Sequence, residues 1–536
     1  MIKILKNDFL IVIIVSAVIV LPFINQAYYI DDFIYLSAAI QYNESGFDSF
    51  RGMSDQEGFV VPNYYLTHPL LWPWFLSLFI KIFNTTNEAV LHLLPLVHLI
   101  ITGISSLIIA KRFSNKPLTA TILFLILPAV MLLSHVLMTD LPTAAYFLLA
   151  IALHIEGLNK SKNILFLCAG ITASISCGIS YQALMIIPII LFYNILNKEK
   201  KFSAYLTIVI PFITFAAWFI YTWIEFGIPH PLVSFQWGDV VLRSLTAGFL
   251  PKLIANINVL GATTIFPAVI LLVYSLNQTF RKLAIVSLII SLPSVFIFAS
   301  RYSIVQKVLF VIYFSAGLLI ILRFIKFFFD SIRTKEKQNI FLSVWFLAFY
   351  FAIVLLMPIG VARYLLPSFL PLIILFIKDA EKIFKHEKLK PALTFSIIIT
   401  AVWGLLCSIS DYHLADIYRN ITKEIKSTYS DRNIWFSSDS FQWYMKQEGY
   451  KPVLYNDNSP AIGDIIVMST ELWPYYVPDV MERAKEINRI EFNSAYPIRT
   501  MNQASNAGFH DHLQGVLPFT ITKSKFEIIY IYEIVK

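Results

Sequence analysis

Apolar runs recur along the chain from Phe9 to residue 410, divided by short polar connections, and then stop. Each is about 17 to 25 residues, long enough as a helix to cross a hydrocarbon layer roughly 30 Å thick. The pattern predicts a mostly α membrane protein of thirteen transmembrane helices. Their places are about 9–25, 88–110, 117–137, 141–157, 163–178, 181–196, 203–224, 251–275, 283–299, 305–323, 340–357, 363–378 and 391–410. One further run, THPLLWPWFLSLFIKIF at 67–83, is shorter and carries two prolines, two tryptophans and a lysine. It reads as a helix lying along the interface or re-entering, which makes 26–87 a long first outer loop.

After residue 410 the rhythm changes. NIWFSS, KPVLY, GDIIVMS and FEIIYIYEIV read as strands, and FQWYMKQEGY and DVMERAKEINRI as helices. The chain therefore divides into a transmembrane domain, residues 1–410, and a small α/β extracytoplasmic domain, residues 411–536.

Composition agrees with this pattern: 57% of the residues are hydrophobic and 14% charged, with a mean hydropathy of +0.68, which excludes a soluble globular protein. The net charge of +8 does not point to nucleic acid, because the basic residues form clusters between apolar runs. Of the 29 Lys and Arg before residue 411, 22 fall on the N-terminal segment and the connections sharing its side. By the positive-inside bias the N-terminus is cytoplasmic and the last domain outside the membrane. No cleavage site follows the first run, so it reads as a retained span. Cys168, Cys177 and Cys407 lie within apolar runs and imply no disulfide framework.

Carboxylates near a bilayer are costly unless solvated or paired, so their places carry information. Asp31 and Asp32 follow the first span, and Asp140 lies in the outer turn of SHVLMTDLPTAAYFLLAIAL. All three have a plain reading as helix starts or caps. His68 before Pro69 and Arg363 in GVARYLLPSFLPL are further candidates. Arg51, Arg243, Arg301 and Lys307 are also outer cations on which an anionic ligand could draw, and Tyr64, Tyr65, Trp72 and Trp74 read as an aromatic belt. There is no P-loop, CxxC, HExxH or GxGxxG, so ATP-driven transport, zinc peptidase chemistry and nicotinamide binding have no support. The spans are nearly free of charge while the acids gather at one face, which favours an interfacial active site over midplane ion coupling.

Several of these segments resemble the GT-C glycosyltransferases that use polyprenyl-phosphate sugars. YYIDDFIYLSAA is similar to the acidic motif in their first outer loop. THPLLWPWFLSLF resembles the stretch closing that loop in protein O-mannosyltransferases and lipid A aminoarabinose transferases. MTDLPTAAYFLLAIAL and RYLLPSFLPL resemble later motifs, and WFSSDSFQWYMKQEGYKPV the outer domain of bacterial relatives. The chain departs from the pattern in having Asp32 as the second acid, one proline after His68, and no lysine in SCGISYQAL.

The resemblance implies a bacterial inner membrane, a polyprenyl-phosphate-linked sugar donor in the membrane lipid, and an acceptor hydroxyl on an envelope glycan, lipid A, glycolipid or protein. Asp31 is then the first candidate for the general base, with Asp32 orienting the acceptor or raising its neighbour's pKa and Asp140 completing the acceptor site. Arg51, His68 and Arg363 are the candidate donor-phosphate ligands. Direct displacement inverts the anomeric centre. No cofactor is expected; paired acids can hold a divalent metal, but no third ligand stands nearby. The alternative readings are a lipid-linked sugar flippase or other transporter, and a noncatalytic membrane subunit.

Overall fold

In the computed structural model the chain is described over residues 2–66, 68–233, 248–265, 267, 278–383, 386–455, 460–493 and 495–536. The apolar runs fold as helices. Among the described residues, seven helices are long and apolar enough to cross a membrane: Glu88–Phe113, Asp140–Lys160, Phe202–Phe226, Arg281–Phe298, Ile304–Thr334, Lys337–Leu356 and Glu387–Thr428. Asn7–Phe23, Leu71–Phe83, Asn163–Ile179 and Tyr181–Asn197 are apolar but shorter. The run expected at 251–275 forms the helix Phe249–Thr263. Its later residues lie mostly outside the described ones, and so does Arg243.

The expected span at 117–137 is not one helix. Pro117–Leu125 and Pro128–Leu133 are separate, and Leu127 between them is extended at φ −57° and ψ 138°. The ring of Pro128 disfavours helical backbone at its predecessor, so the break is local chemistry that hydropathy alone overlooks. Residues 134–139 then approach the helix Asp140–Lys160 without helical structure.

Helices Phe249–Thr263 and Ile304–Thr334 meet at Gly261 and Gly317. A Cβ on either glycine would collide with the opposite backbone, at the Tyr313 or Ile257 carbonyl. Such close approach of small residues is a common device of membrane packing. It holds Lys252 against the segment that leads to Arg363: Lys252 Nζ donates to the Met357 carbonyl at 2.9 Å.

The segment between the first apolar helix and Glu88–Phe113 contains the helix Asp32–Ser45, a hairpin pairing Met53–Gln56 with Phe59–Pro62, and the helix Leu71–Phe83. The last helix runs past residue 410 to Thr428 before the outer strands begin at Ile434. Five strands form one sheet, in the order Lys451–Pro452, Ile434–Phe436, Ile465–Ser469, Glu527–Ile534, Ala484–Phe492. The first three are parallel and the last two join antiparallel.

DVMERAKEINRI is not the helix its spacing predicts. Only Pro478–Met481 is helical, and Ala484–Phe492 is an edge strand. Apolar residues at 480, 481, 484, 487 and 490 imitate a helix period, but pairing with Glu527–Ile534 decides the outcome. Charges along this strand suit an exposed edge.

The hairpin joins the two halves of the molecule. Tyr455 N–H donates to the Gly58 carbonyl at 3.0 Å, Phe59 stacks on Tyr455 at 4.4 Å, and Lys446 pairs with Asp55 at 2.6 Å.

Candidate active site

Eight non-glycine residues among the described residues have positive φ. Asn84, Ser161, Lys198, Lys335 and Asn506 follow helix ends, where that conformation is ordinary. The other three, Ile30, Glu57 and Trp473, gather at one cavity of about 400 Å³. Glu57 and Trp473 line it; Ile30, at φ 54°, directly precedes Asp31, which lines it too. A left-handed β-branched residue such as Ile30 is costly, whereas Glu57, with Gly58 at φ 82°, takes the ordinary conformation of a two-residue hairpin turn; the strain beside the cavity is that of Ile30.

The turn at Ile30 sends the two neighbouring aspartates to different environments. Asp31 occupies the cap position of the helix Asp32–Ser45, yet its side chain makes no capping hydrogen bond. Instead its Oδ2 meets Arg363 Nη1 at 2.9 Å. Asp32 turns inward and is fully buried. Its Oδ1 accepts from Leu137 N–H at 2.8 Å and its Oδ2 from Tyr29 N–H at 3.3 Å. Trp72 Nε1 donates to the Leu137 carbonyl at 2.5 Å, so Asp32 and Trp72 hold the two peptide groups flanking Leu137, three residues before Asp140. Trp72 and Tyr64 are thereby core residues and not members of the expected aromatic belt, whereas Tyr65 is exposed.

Asp140 begins its helix, with Thr139 in the cap position and no side-chain cap. It is buried, and neither carboxyl oxygen has a hydrogen-bond partner among the described residues. Arg363, Asp31 and His510 all act on it electrostatically. Arg363 is buried on the cavity wall, and its Nε has no partner among the described residues. The loop before it is held by Lys252 and by Gly360 N–H donating to His512 Nδ1 at 3.3 Å.

His68 also lines the cavity. Burial and the nearby Arg363 guanidinium push its imidazole down to about 4, so it is neutral near pH 7. Arg51 stands elsewhere: it is exposed and ion-paired with Glu225, outside the cavity lining. Arg301 is likewise exposed and outside it. Of the six candidate residues, Asp31, His68 and Arg363 share the cavity wall, Asp140 lies in the field of the Asp31–Arg363 pair, Asp32 braces the structure behind, and Arg51 is apart.

Sequence reasoning passed over the opposite wall. Glu57 from the hairpin, and Asp439, Trp473 and Asp511 from the C-terminal part of the chain, face the same cavity. Asp439 Oδ2 accepts from Glu57 N–H at 3.0 Å, and burial pushes its carboxyl up to about 8. Burial likewise pushes Asp511 up to about 6 and raises Glu57. Asp439 lies within WFSSDSFQWYMKQEGYKPV, but nothing in that stretch singled it out, and no motif marks Glu57 or Asp511. Toward the membrane helices the lining becomes apolar, with Leu184, Met185, Phe215, Ile353 and Leu356. Among the described residues, no group of three or more His, Cys, Asp or Glu is placed to hold a metal ion.

Residues 67–221 match the family model of the dolichyl-phosphate-mannose-protein mannosyltransferases. An uncharacterized protein of Aquifex aeolicus (strain VF5) is 27% identical over 233 residues, 41% of this chain and 44% of that protein, so the alignment spans less than half of that relative. Among solved structures, ArnT from Cupriavidus metallidurans bound to undecaprenyl phosphate superposes with a TM-score of 0.51 at 10% identity, covering 87% of this chain and 93% of ArnT. Its apo state gives 0.50 at 9% identity, covering 99% and 98%. The Archaeoglobus fulgidus oligosaccharyltransferase in the apo form gives 0.48 at 12% identity, and the match covers 84% of this chain and 64% of that one. At such identities the likeness to solved structures is one of fold. The motif resemblance to the GT-C membrane glycosyltransferases is thus joined by a family-model match over residues 67–221 and an ArnT-like fold over nearly the whole chain.

Proposed function

We propose that the protein is an inverting membrane glycosyltransferase that moves a sugar from a polyprenyl phosphate to a hydroxyl at the outer face of a bacterial inner membrane. The acceptor is an envelope glycan, lipid A, a glycolipid or a protein. The reading includes thirteen spans with a cytoplasmic N-terminus, and a division into a transmembrane domain of residues 1–410 and an outer domain of residues 411–536. The observation that carries it is the Asp31–Arg363 pair at 2.9 Å, on the wall of a cavity that is apolar toward the membrane helices and closed by the outer domain. The family matched over residues 67–221 is named for dolichyl-phosphate-mannose, and the ArnT structure is bound to undecaprenyl phosphate, which support a lipid-phosphate donor.

The chemistry follows from the groups on that wall. An acceptor hydroxyl has a pKa far above 7, so its attack on the anomeric carbon gains from a carboxylate that takes the proton as the new C–O bond forms. Asp31 is that base. The glycosyl C–O bond to phosphate breaks, and the lipid phosphate leaves with the electron pair. Arg363, whose Nε is unengaged among the described residues, and a neutral N–H of His68 stabilise the growing charge. Attack opposite the leaving group inverts the centre. The apolar lining around Leu184, Phe215 and Ile353 receives the first isoprene units. Asp140 completes the acceptor side, Asp32 positions the turn, and Arg51 has no role in the step.

Mass spectrometry of envelope glycans and lipids from a deletion strain tests the reading. A specific sugar disappears and returns with the native gene but not with Asp31→Asn. Restoration by Asp31→Asn would remove the base assignment, and transport of an intact lipid-linked sugar with no transfer would replace the enzyme by a flippase.

A further inference from the structure

Between helices Asn163–Ile179 and Ile186–Asn197 the chain makes a tight turn, Ser180–Met185, whose first three residues all line the cavity. They differ in how they are satisfied. Tyr181 is anchored: its hydroxyl bonds His230 Nδ1 at 2.7 Å and accepts from Trp218 Nε1 at 2.9 Å. Ser180 is fully buried and Gln182 is 5% exposed, yet Ser180 Oγ and both amide atoms of Gln182, Nε2 and Oε1, have no hydrogen-bond partner among the described residues. Buried polar atoms are nearly always paired, so three unpaired ones on a cavity wall, beside a firmly anchored neighbour, call for a ligand.

We propose that Ser180 and Gln182 form a neutral subsite that reads two adjacent uncharged hydroxyls on the transferred sugar. The assignment rests on the glycosyltransferase reading and goes beyond it by naming what the sugar must present. The amide sets the requirement, because it offers one donor group and one acceptor and both are unmet. A phosphate or carboxylate only accepts, and would leave Oε1 unpaired. An ammonium only donates, and would leave Nε2 unpaired. Hydroxyls do both, and a vicinal pair meets Nε2, Oε1 and Ser180 Oγ together. The rest of the cavity agrees: Arg363 is the one arginine of its lining among the described residues and is already paired with Asp31, so no further arginine stands ready for an anionic sugar. The turn SCGISYQAL itself brings no charge.

The test uses the purified full-length protein in lipid nanodiscs and four probes: decaprenyl phosphate, its mannosyl and glucosyl derivatives, and its galacturonosyl derivative. The native protein is expected to bind at least one neutral hexosyl lipid more tightly than bare decaprenyl phosphate, and the galacturonosyl lipid no better than the bare one. Gln182→Leu is expected to weaken the hexosyl lipid about 10-fold and to leave decaprenyl phosphate unchanged; Ser180→Ala is expected to show the same selectivity at about 3-fold. If Gln182→Leu lowers the thermal midpoint, Ser180→Ala carries the comparison. The proposal is overturned if the variants weaken bare decaprenyl phosphate equally, if hexosyl binding is unaltered, or if the galacturonosyl lipid binds as tightly as the hexosyl lipids. In each of those cases the glycosyltransferase reading stands. Binding of none of the four lipids would sink that reading as well.

Discussion

The two walls of the cavity carry the same functional group in opposite electrostatic settings. On the membrane wall, Asp31 is joined to a buried arginine. On the outer wall, Asp439 and Asp511 have no Lys or Arg within ion-pair distance among the described residues; Asp511 has only His512 at 3.7 Å, and burial pushes that imidazole down to about 4. Burial keeps Asp439, at about 8, protonated near pH 7, where it can donate a hydrogen bond, whereas Asp511, at about 6, is largely ionised there. The cavity thus sets its carboxyls apart by burial and by which of them pairs with Arg363.

The sharpest way to break this comparison is at Asp31. Asp31→Asn should lower the rate of sugar transfer by about 10²- to 10⁴-fold with the thermal midpoint kept, as measured by release of labelled product from the purified protein. A loss of less than tenfold would remove the distinction between the walls. Next in size, Arg363→Lys should weaken binding of decaprenyl phosphate about 10-fold, since an ammonium cannot span Asp31 and a phosphate as the planar guanidinium does. Binding at the native level would assign Arg363 to structure alone.

The outer wall predicts a smaller effect with a definite sign. The Asp439 carboxyl stands at about 8 in the folded protein against an ordinary 3.8. The folded state therefore holds a proton that the unfolded chain has already lost, and this contribution is fully present below about pH 4 and disappears as the pH rises through about 8. Between about pH 5 and 9 the thermal midpoint of Asp439→Asn should fall by less than that of the native protein, by about 2–4 °C over the range. Parallel curves would show that Asp439 is solvated. Smallest of all, Arg51→Ala should change transfer by less than about twofold, because an exposed ion pair contributes little and Arg51 lies outside the cavity lining.

Much of the site was legible before the structure, though unevenly. Asp31, His68 and Arg363 stand in segments whose position just beyond an apolar run already placed them at one face. Asp32 and Arg51 were legible only as charges, because neighbours in sequence diverge when a strained turn such as Ile30 intervenes, and an exposed arginine finds the nearest acid. Asp439, Ser180 and Gln182 stand in segments compared with the family pattern, WFSSDSFQWYMKQEGYKPV and SCGISYQAL, yet nothing there singles them out, and Asp511 stands in none. They reach the cavity through the docking of the hairpin on the outer sheet and through a helix-to-helix turn, neither of which has a sequence period.

What the sequence determined by itself is what the solvent enforces along the chain: that the apolar runs become helices, and that strands follow only after the last of them. Hydrophobic length and charge placement are local properties, read in any order of assembly. Only the tertiary structure decided which aspartate meets Arg363, 332 residues away, and which carboxyls are left without a cation. Pairing, burial and orphaned hydrogen-bonding groups depend on neighbours brought from distant regions of the chain, and at this site they separate an aspartate on the cavity wall from one buried behind it and a cation at the cavity from one outside it.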